Sequence, residues 1–286
     1  TIFPPWESGR DDSPVWDDAL ARVSITQLSK FERLDIIAEG ESQERPSDEE
    51  YNKFIFLVDL MKLYSYDQKI IYEKFPFKIK DVLFSSILYV AKQALLRIAE
   101  LIVEEYVKEI SEWISRTETN FRKFFCAPSN GSSDGLFYDY DVIIGERIMK
   151  RTISCLLPIY TGILSNQEAE VIVKWISGAD FVAEYDTIAS VDEKESDFKP
   201  LDYWRGPVWI NTSWSISYGL LRYGYTDRAE RVKQGALRLV AEHGFREYFN
   251  PSTGEGLGGQ NFSWTAAGVI DMIMAKSNPL DLFLKQ

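Results

Sequence analysis

Hydrophobic residues recur at helical spacing over most of the chain. The clearest case follows Ser47-Asp48-Glu49-Glu50, which has the form of a capping box at a helix start. Apolar side chains then recur three or four positions apart, at Tyr51, Phe54, Ile55, Val58 and Met61. This pattern predicts an amphipathic helix from about residue 48 to residue 65.

The same pattern predicts further helices on both sides of this one. They are a helix that begins at Pro14 after the cap residue Ser13, followed by 67–75, 81–102, 104–125, 153–164, 167–176, 207–223, 227–242 and 264–274. Most come in consecutive pairs, and residues 136–141 fit either a short strand or an extended loop. We therefore expect an all-α fold of about nine helices with no convincing sheet, arranged as a toroid of helical hairpins or as a bundle.

Length and charge narrow the class of protein. The 286 residues contain no Pro/Gly/Ser-rich or charged linker, so a single domain is expected, and a hydrophobic content of 45% suffices for a substantial core. The chain has 32 Lys and Arg against 44 Asp and Glu, a net charge of −12, which disfavours nucleic acid and anionic membranes as partners. We expect an uncharged or small ligand.

The cysteines and the apolar runs bear on location. Cys126 and Cys155 show no CxxC spacing and are too few for a disulfide framework, which indicates a reducing or an indifferent compartment. We expect no apolar run of membrane-spanning length, and no signal peptide is recognisable. A cytoplasmic location is the expectation.

The chain contains one histidine, His243. Histidine-based metal sites and Ser-His triads are therefore disfavoured, and its flank Ala-Glu-His-Gly is typical of the last turn of a helix before a C-cap glycine. We predict neither a metal site nor a cofactor.

Residues 203–214 form the densest candidate site. Three tryptophans, an arginine and an asparagine fall within twelve positions. Indole faces suit the apolar faces of pyranose rings, while Arg and Asn side chains supply hydrogen-bond partners for ring hydroxyls. A tryptophan-rich helix start packed in a core would have the same composition, so both interpretations stay open.

Two carboxylates stand in aromatic, glycine-bearing loops near opposite ends of the chain. Asp11 lies in the loop 9–12, beside Trp6 and Trp16, and Glu247 lies in the loop 245–265. Hydrolysis of a glycosidic bond needs one carboxylic acid and one carboxylate and nothing else from the protein. Other acidic residues qualify by loop position, namely Asp139, Asp141 and Glu255, and Asp11 and Asp12 can also be simple favourable charges near a helix start.

Three motifs resemble glycoside hydrolase family 63, which includes processing α-glucosidases and mannosylglycerate or glucosylglycerate hydrolases, and more distantly the trehalases. They are Glu-Ser-Gly-Arg-Asp at 7–11, Tyr-Trp-Arg-Gly-Pro-Val-Trp-Ile-Asn at 203–211, and Arg-Glu-Tyr-Phe-Asn-Pro-x-Thr-Gly at 246–254, followed by Phe-Ser-Trp-Thr at 262–265. Their order matches that of the family, and together they cover the chain nearly from end to end. The segment 134–139 also looks like a loop of this family.

The resemblance implies an (α/α)6 barrel that hydrolyses an α-glycosidic bond of a small carbohydrate with inversion of configuration. Asp11 would be the general acid and Glu247 the general base. The residues implied to line the sugar pocket are Trp6, Tyr203, Trp204, Arg205, Trp209 and Trp264. Of these, Arg205 would bind hydroxyls directly, and Arg10 is a candidate cation for a glycerate group. Neither the sugar nor the group attached to it follows from the motifs.

The chain departs from the family pattern at its start, because several barrel helices precede the acid-bearing loop in this family. We therefore expect residues 1–286 to be the C-terminal part of a single catalytic domain, completed by an N-terminal segment or a second chain. A non-catalytic carbohydrate-binding or scaffold protein is the competing interpretation. A purely structural helical-repeat protein is disfavoured, because no repeat of 30 to 45 residues is visible.

Overall fold

The computed structural model describes residues 1–33, 45–126, 134–178 and 180–275. Within these residues the chain forms nine α-helices. They are α1 (Asp17–Ala21), α2 (Asp48–Leu63), α3 (Gln68–Lys74), α4 (Val82–Ile102), α5 (Val107–Phe125), α6 (Asn166–Ser177), α7 (Ile210–Arg222), α8 (Thr226–His243) and α9 (Ser263–Met274). Five 3-10 helices lie between them, at Pro5–Ser8, Pro14–Trp16, Glu104–Tyr106, Ile153–Tyr160 and Glu184–Asp186. The predicted predominance of helix is confirmed.

Side-chain caps fix several of the helix starts. The Ser47 hydroxyl accepts a hydrogen bond from the Glu50 N–H at 3.3 Å, and the Glu50 carboxylate accepts one from the Ser47 N–H at 2.8 Å. This is the predicted capping box of α2. The helix ends at Leu63, two residues earlier than predicted, because Ser65 and Tyr66 adopt positive φ angles of 51° and 56°.

Two small antiparallel sheets accompany the helices, so the expectation of no convincing sheet is wrong. One joins β1 (Ile79–Lys80), β2 (Tyr140–Asp141) and β3 (Glu146–Arg147). The other is a hairpin of β4 (Arg246–Phe249) and β5 (Gly256–Gln260). In the hairpin Tyr248 lies opposite Leu257 and Phe249 opposite Gly256, with an irregular register between Arg246 and Tyr248. This bulge is next to Glu247.

Two predicted helices differ from the observed elements for local reasons. The segment expected to be helical over 153–164 is a 3-10 helix over Ile153–Tyr160 that contains Pro158, which has no N–H to donate. The helix expected to begin at Pro207 begins at Ile210. Its predicted first turn is extended, because Val208 exchanges two backbone hydrogen bonds with Phe249, at 2.8 and 3.0 Å.

Helix α4 is long and apolar enough to cross a membrane by length and composition alone, contrary to the expectation that no apolar run reaches that length. It packs against α5 and against the 3-10 helix Ile153–Tyr160. Its buried residues Val82, Leu83 and Val90 belong to the largest hydrophobic cluster. Length and composition alone do not identify α4 as a membrane-spanning helix, since a core helix of a soluble protein meets the same criteria.

We expect Gly235→Ala to destabilise the fold, because a Cβ at this position of α8 would lie 1.8 Å from the backbone oxygen of Tyr185. Forced overpacking of this kind costs about 1–3 kcal/mol. Gly268→Ala in α9 is the matched control, because its Cβ would meet only Ile210 Cγ2, at 3.3 Å. Alanine is about 1 kcal/mol better than glycine inside a helix, which offsets that contact. Urea unfolding measures both variants, and equal losses of free energy would contradict this packing.

Candidate active site

Glu247 lies on β4 and is 6% exposed. The Gly259 N–H donates to its Oε2 at 3.0 Å, and the Tyr203 hydroxyl donates to its Oε1 at 3.2 Å. Glu247, Tyr248 and Phe249 are all buried, so both faces of β4 are covered by the rest of the chain. The β4–β5 hairpin thus orients the carboxylate toward the tryptophan-rich segment.

The return strand β5 passes very close to this carboxylate. A Cβ at Gly258 would lie 2.7 Å from Glu247 Oε2 and 2.5 Å from the Tyr248 ring. Gly258 also has a φ of +63°, which residues with a side chain seldom adopt. Gly258 is therefore required by the close approach of the β5 backbone to Glu247.

Tyr203 lies near both predicted catalytic carboxylates. Burial raises the pKa of its hydroxyl, and the negative charges of Asp11 and Glu247 raise that pKa further. Both carboxylates therefore lie near the same phenol. Tyr203 itself has a φ of +25°, a strained value for a non-glycine residue, and its carbonyl accepts a hydrogen bond from Trp209 Nε1 at 3.2 Å.

Arg45 is a residue of this cluster that the sequence did not suggest. Its guanidinium nitrogen lies 3.4 Å from Glu247 Oε2, and its Cζ lies 4.4 Å from the centre of the Tyr203 ring. Arg45 belongs to the polar, irregular stretch 24–46, where no periodicity or motif distinguished it from other surface arginines. Its proximity to Glu247 emerges only from the folded chain.

The aromatic side chains form a stack behind Tyr203. The indoles of Trp204 and Trp209 are parallel, with centres 4.0 Å apart and planes at 5°, and Trp209 also stacks on Tyr248 at 5.0 Å. Trp204 and Trp209 are each 2% exposed. Their prediction as open platforms for a sugar ring is corrected, because other rings cover the Trp209 faces and the pair supports Tyr203 from within the core.

Other aromatic candidates are accessible. Trp264 is 48% exposed at the start of α9, with its ring 6.4 Å from that of Trp209. Trp6 is half-buried, edge-on to Tyr51 and Phe54. Trp204, although buried, has an indole Nε1 that finds no hydrogen-bond partner in the described part of the chain.

The structure assigns Arg205 a different role from the predicted one. Its Nε donates to Asp12 at 3.1 Å, and its two terminal nitrogens donate to both oxygens of Asp17 at 3.0 and 2.7 Å. One terminal nitrogen also lies 3.4 Å from Glu50. Because its nitrogens are engaged by carboxylates, the expectation that Arg205 binds sugar hydroxyls directly is corrected. It fastens the loop of Asp11 to the tryptophan-rich segment.

Asp12, the neighbour of Asp11, has a raised pKa. Burial raises its pKa, Arg205 lowers it, and the negative charge of Glu50 raises it again, so that the pKa reaches about 7. Asp12 is thus a desolvated carboxylate next to the predicted general acid.

Arg10 is also corrected. Its guanidinium is 1% exposed and donates to Asp81 at 2.7 Å and to Asp139 at 3.4 Å. Burial, followed by the charge of Asp81, raises the pKa of Asp139 to about 6. Arg10 therefore neutralises buried carboxylates at the start of α4 and has no face for a glycerate group.

The remaining acidic candidates lie elsewhere. Asp139 forms an ion pair with Arg10. Asp141 forms an ion pair with Arg22 and accepts a hydrogen bond from the Ile143 N–H at 2.9 Å. Glu255 is exposed in the turn between β4 and β5. Across residues 1–33, 45–126, 134–178 and 180–275, no group of His, Cys, Asp and Glu side chains is arranged to hold a metal ion.

The chain thus combines a predominantly helical fold with two acidic residues, Asp11 and Glu247, near one buried tyrosine. A profile of the mannosylglycerate hydrolase MGH1-like glycoside hydrolase domain matches residues 1–265, and the chain belongs to this family. It is 38% identical over 273 residues to mannosylglycerate hydrolase of Thermus thermophilus, covering 93% of this chain and 62% of the relative. It is 33% identical over 279 residues to glucosylglycerate hydrolase of Mycolicibacterium hassiacum, covering 96% of this chain and 61% of the relative.

Comparison with solved structures supports the same family assignment. The GH63 mannosylglycerate hydrolase from Thermus thermophilus in complex with Tris and D-glycerate superimposes with a TM-score of 0.87 at 38% identity, covering 94% of this chain and 64% of that one. Neutral trehalase from Saccharomyces cerevisiae, at 16% identity and a TM-score of 0.52 over 72% of this chain and 40% of that one, shares the fold alone. The predicted resemblance to family 63 and the predicted (α/α)6 barrel fold are thus confirmed. The chain spans about three fifths of the length of the Thermus and Mycolicibacterium relatives.

Asp12→Asn should change how stability depends on pH. The ordinary aspartate pKa is 3.8 and that of folded Asp12 is about 7, so between these values the folded state binds more protons than the unfolded state. Asp12 therefore lowers the free energy of unfolding as pH rises through this window, by up to roughly 4 kcal/mol. Denaturant unfolding at pH 4.5, 6 and 8 should show that the free energy of unfolding of the Asn variant, relative to that of the wild type, increases as pH rises. Parallel curves would contradict the raised pKa.

Proposed function

We propose that this protein hydrolyses an α-mannosyl or α-glucosyl bond to a small acid such as glycerate, with inversion at the anomeric carbon. The observation that carries the proposal is the placement of Asp11 and Glu247 near one buried phenol, Tyr203. The names of the relatives, mannosylglycerate hydrolase and glucosylglycerate hydrolase, supply the substrate class.

Glu247 suits the role of general base. An ionised carboxylate accepts hydrogen bonds without donating any, and Glu247 accepts from the Gly259 N–H and the Tyr203 hydroxyl. In the proposed reaction Glu247 takes a proton from water while the water oxygen bonds to the anomeric carbon. Asp11 gives its proton to the leaving oxygen as the glycosidic bond breaks.

The accessible aromatic groups would hold the sugar. Trp264 offers a half-exposed indole, and Trp6 is the other indole of the predicted set that keeps some exposure. The parallel pair of Trp204 and Trp209 would keep Tyr203 fixed behind the sugar, which lowers the cost of ordering the site when the sugar binds.

Arg45 replaces Arg10 as the candidate partner of a substrate carboxylate. Its side chain is 13% exposed and its guanidinium lies at Glu247 and Tyr203, whereas Arg10 is enclosed by its own carboxylates. A planar guanidinium can engage both oxygens of a carboxylate. We infer that Arg45 contributes to the preference for an acidic group attached to the sugar.

The predicted domain organisation carries over as part of this proposal. Large apolar side chains lie exposed along α4 and α9: Leu95, Ile98, Leu101, Ile102, Ile270, Ile273 and Met274. Exposed apolar faces of this extent are typical of surfaces that pack against further structure. We infer that this chain is part of a single catalytic domain in which additional helices cover these faces.

Cys126 and Cys155 form no disulfide with each other, which supports a cytoplasmic location.

Asp11→Asn and Glu247→Gln should each lower the rate of hydrolysis of mannosylglycerate at least about a hundredfold, because each removes one of the two proton transfers. Glu255→Gln is the matched control, since this exposed carboxylate lies in the turn beyond Glu247 and should leave the rate unchanged. NMR of the released sugar should show the β-anomer first. Release of the α-anomer would exclude inversion. Sugar binding without turnover, both in this chain and in a longer polypeptide containing it, would favour a carbohydrate-binding protein.

Arg45→Gln should raise the KM for mannosylglycerate about tenfold or more while changing hydrolysis of the neutral methyl α-mannoside much less. The loss corresponds to one charge-assisted hydrogen bond. Arg97→Gln removes the same charge from the exposed surface of α4 and is the control. An equal loss for both substrates in Arg45→Gln would show that this arginine only positions Glu247.

A further inference from the structure

A second pocket lies in the groove between α4 and α5, and none of its lining residues belongs to the carboxylate cluster of the candidate active site. Its volume is about 640 Å³. Three cationic residues line it, namely Lys80 on β1, Lys92 on α4 and Arg116 on α5. Its apolar lining includes Trp113, Phe121 and Phe124.

The cations of this groove lack acidic partners. Over residues 1–33, 45–126, 134–178 and 180–275, no carboxylate forms an ion pair with Lys80, Lys92 or Arg116. The Lys92 ammonium donates to the Thr117 hydroxyl at 3.0 Å, and the Lys80 ammonium lies 4.3 Å from the centre of the Phe124 ring. In a chain with a net charge of −12, a cluster of cations without carboxylates is unexpected.

These lysines are also not simply solvated surface charges. Burial lowers the pKa of Lys80, and the nearby Lys123 lowers it further. Burial lowers the pKa of Lys92 in the same way, with Arg116 as the second cause. Both shifts report positive charges held close together in a partly desolvated groove, which costs free energy unless an anion balances them.

We propose that the α4–α5 groove binds a small amphiphilic anion, with an aromatic or alkyl ring on one side and a carboxylate or phosphate on the other. The ring would lie on the exposed side of Trp113, which is 37% exposed, and against Phe124. The anionic group would lie among Lys80, Lys92 and Arg116. This inference does not depend on the proposed hydrolase activity, because it uses none of that site's residues.

Calorimetric titration with phenyl phosphate tests the proposal, with inorganic phosphate and benzyl alcohol as probes for each half of the ligand. Phenyl phosphate should bind at least about tenfold more tightly than either probe, and raising NaCl from 0.05 to 0.5 M should weaken it severalfold. Equal binding of benzyl alcohol would mean that the groove is only apolar. Equal binding of inorganic phosphate would mean that the ring is not recognised. Either result, or no binding, would overturn the proposal.

Two double variants locate the binding. Lys92→Gln with Arg116→Gln should weaken phenyl phosphate about tenfold or more, whereas Lys62→Gln with Lys174→Gln removes the same number of charges from exposed helix surfaces and should change it less than twofold. Lys80→Gln alone provides a milder test should the double variant not fold, with circular dichroism as the check. Unchanged affinity in a folded groove variant would exclude this location.

Discussion

The guanidinium of Arg205 joins three parts of the chain on which the candidate site depends. It contacts Asp12 beside the predicted acid, Asp17 at the start of α1, and Glu50 in the first turn of α2. Three carboxylates around one guanidinium leave an excess of negative charge in a partly buried place. The raised pKa of Asp12 relieves that excess, because a protonated Asp12 lowers the repulsion among the three acids while it can still accept from Arg205.

The second carboxylate depends on backbone geometry. Glu247 is placed by a bulged hairpin, and the return strand can approach it only because residue 258 is glycine. The loop that carries Asp11 is thus held by the ion pairs of Arg205, whereas Glu247 is held by the backbone of the β4–β5 hairpin. Tyr203 lies near both carboxylates with a strained backbone, and it packs edge-on against the stacked indoles of Trp204 and Trp209. The aromatic residues that drew attention in the sequence act chiefly as this support.

Much of the fold could be predicted from the sequence, because helical periodicity and caps such as Ser47 are local signals. The two strands of the hairpin could not, since β5 is short and rich in glycine, with no alternation to reveal it. The roles of Arg10 and Arg205 were also beyond local patterns. Their partners Asp81 and Asp12 are 71 and 193 positions away along the chain, and which charges meet is decided only by folding. The position of Arg45 beside Glu247 could not be predicted for the same reason.

The backbone pairing of Val208 with Phe249 has a consequence for protein engineering. It connects the segment that carries Tyr203 to the strand that carries Glu247 through two hydrogen bonds, while Ala189 pairs with Val208 on the other side. Phenol, indole stack and carboxylate are therefore borne by one continuous patch of backbone. A designer who wished to transplant this half of the site onto another helical scaffold would have to move the three segments together, since any one alone would lose the neighbours that give it its shape.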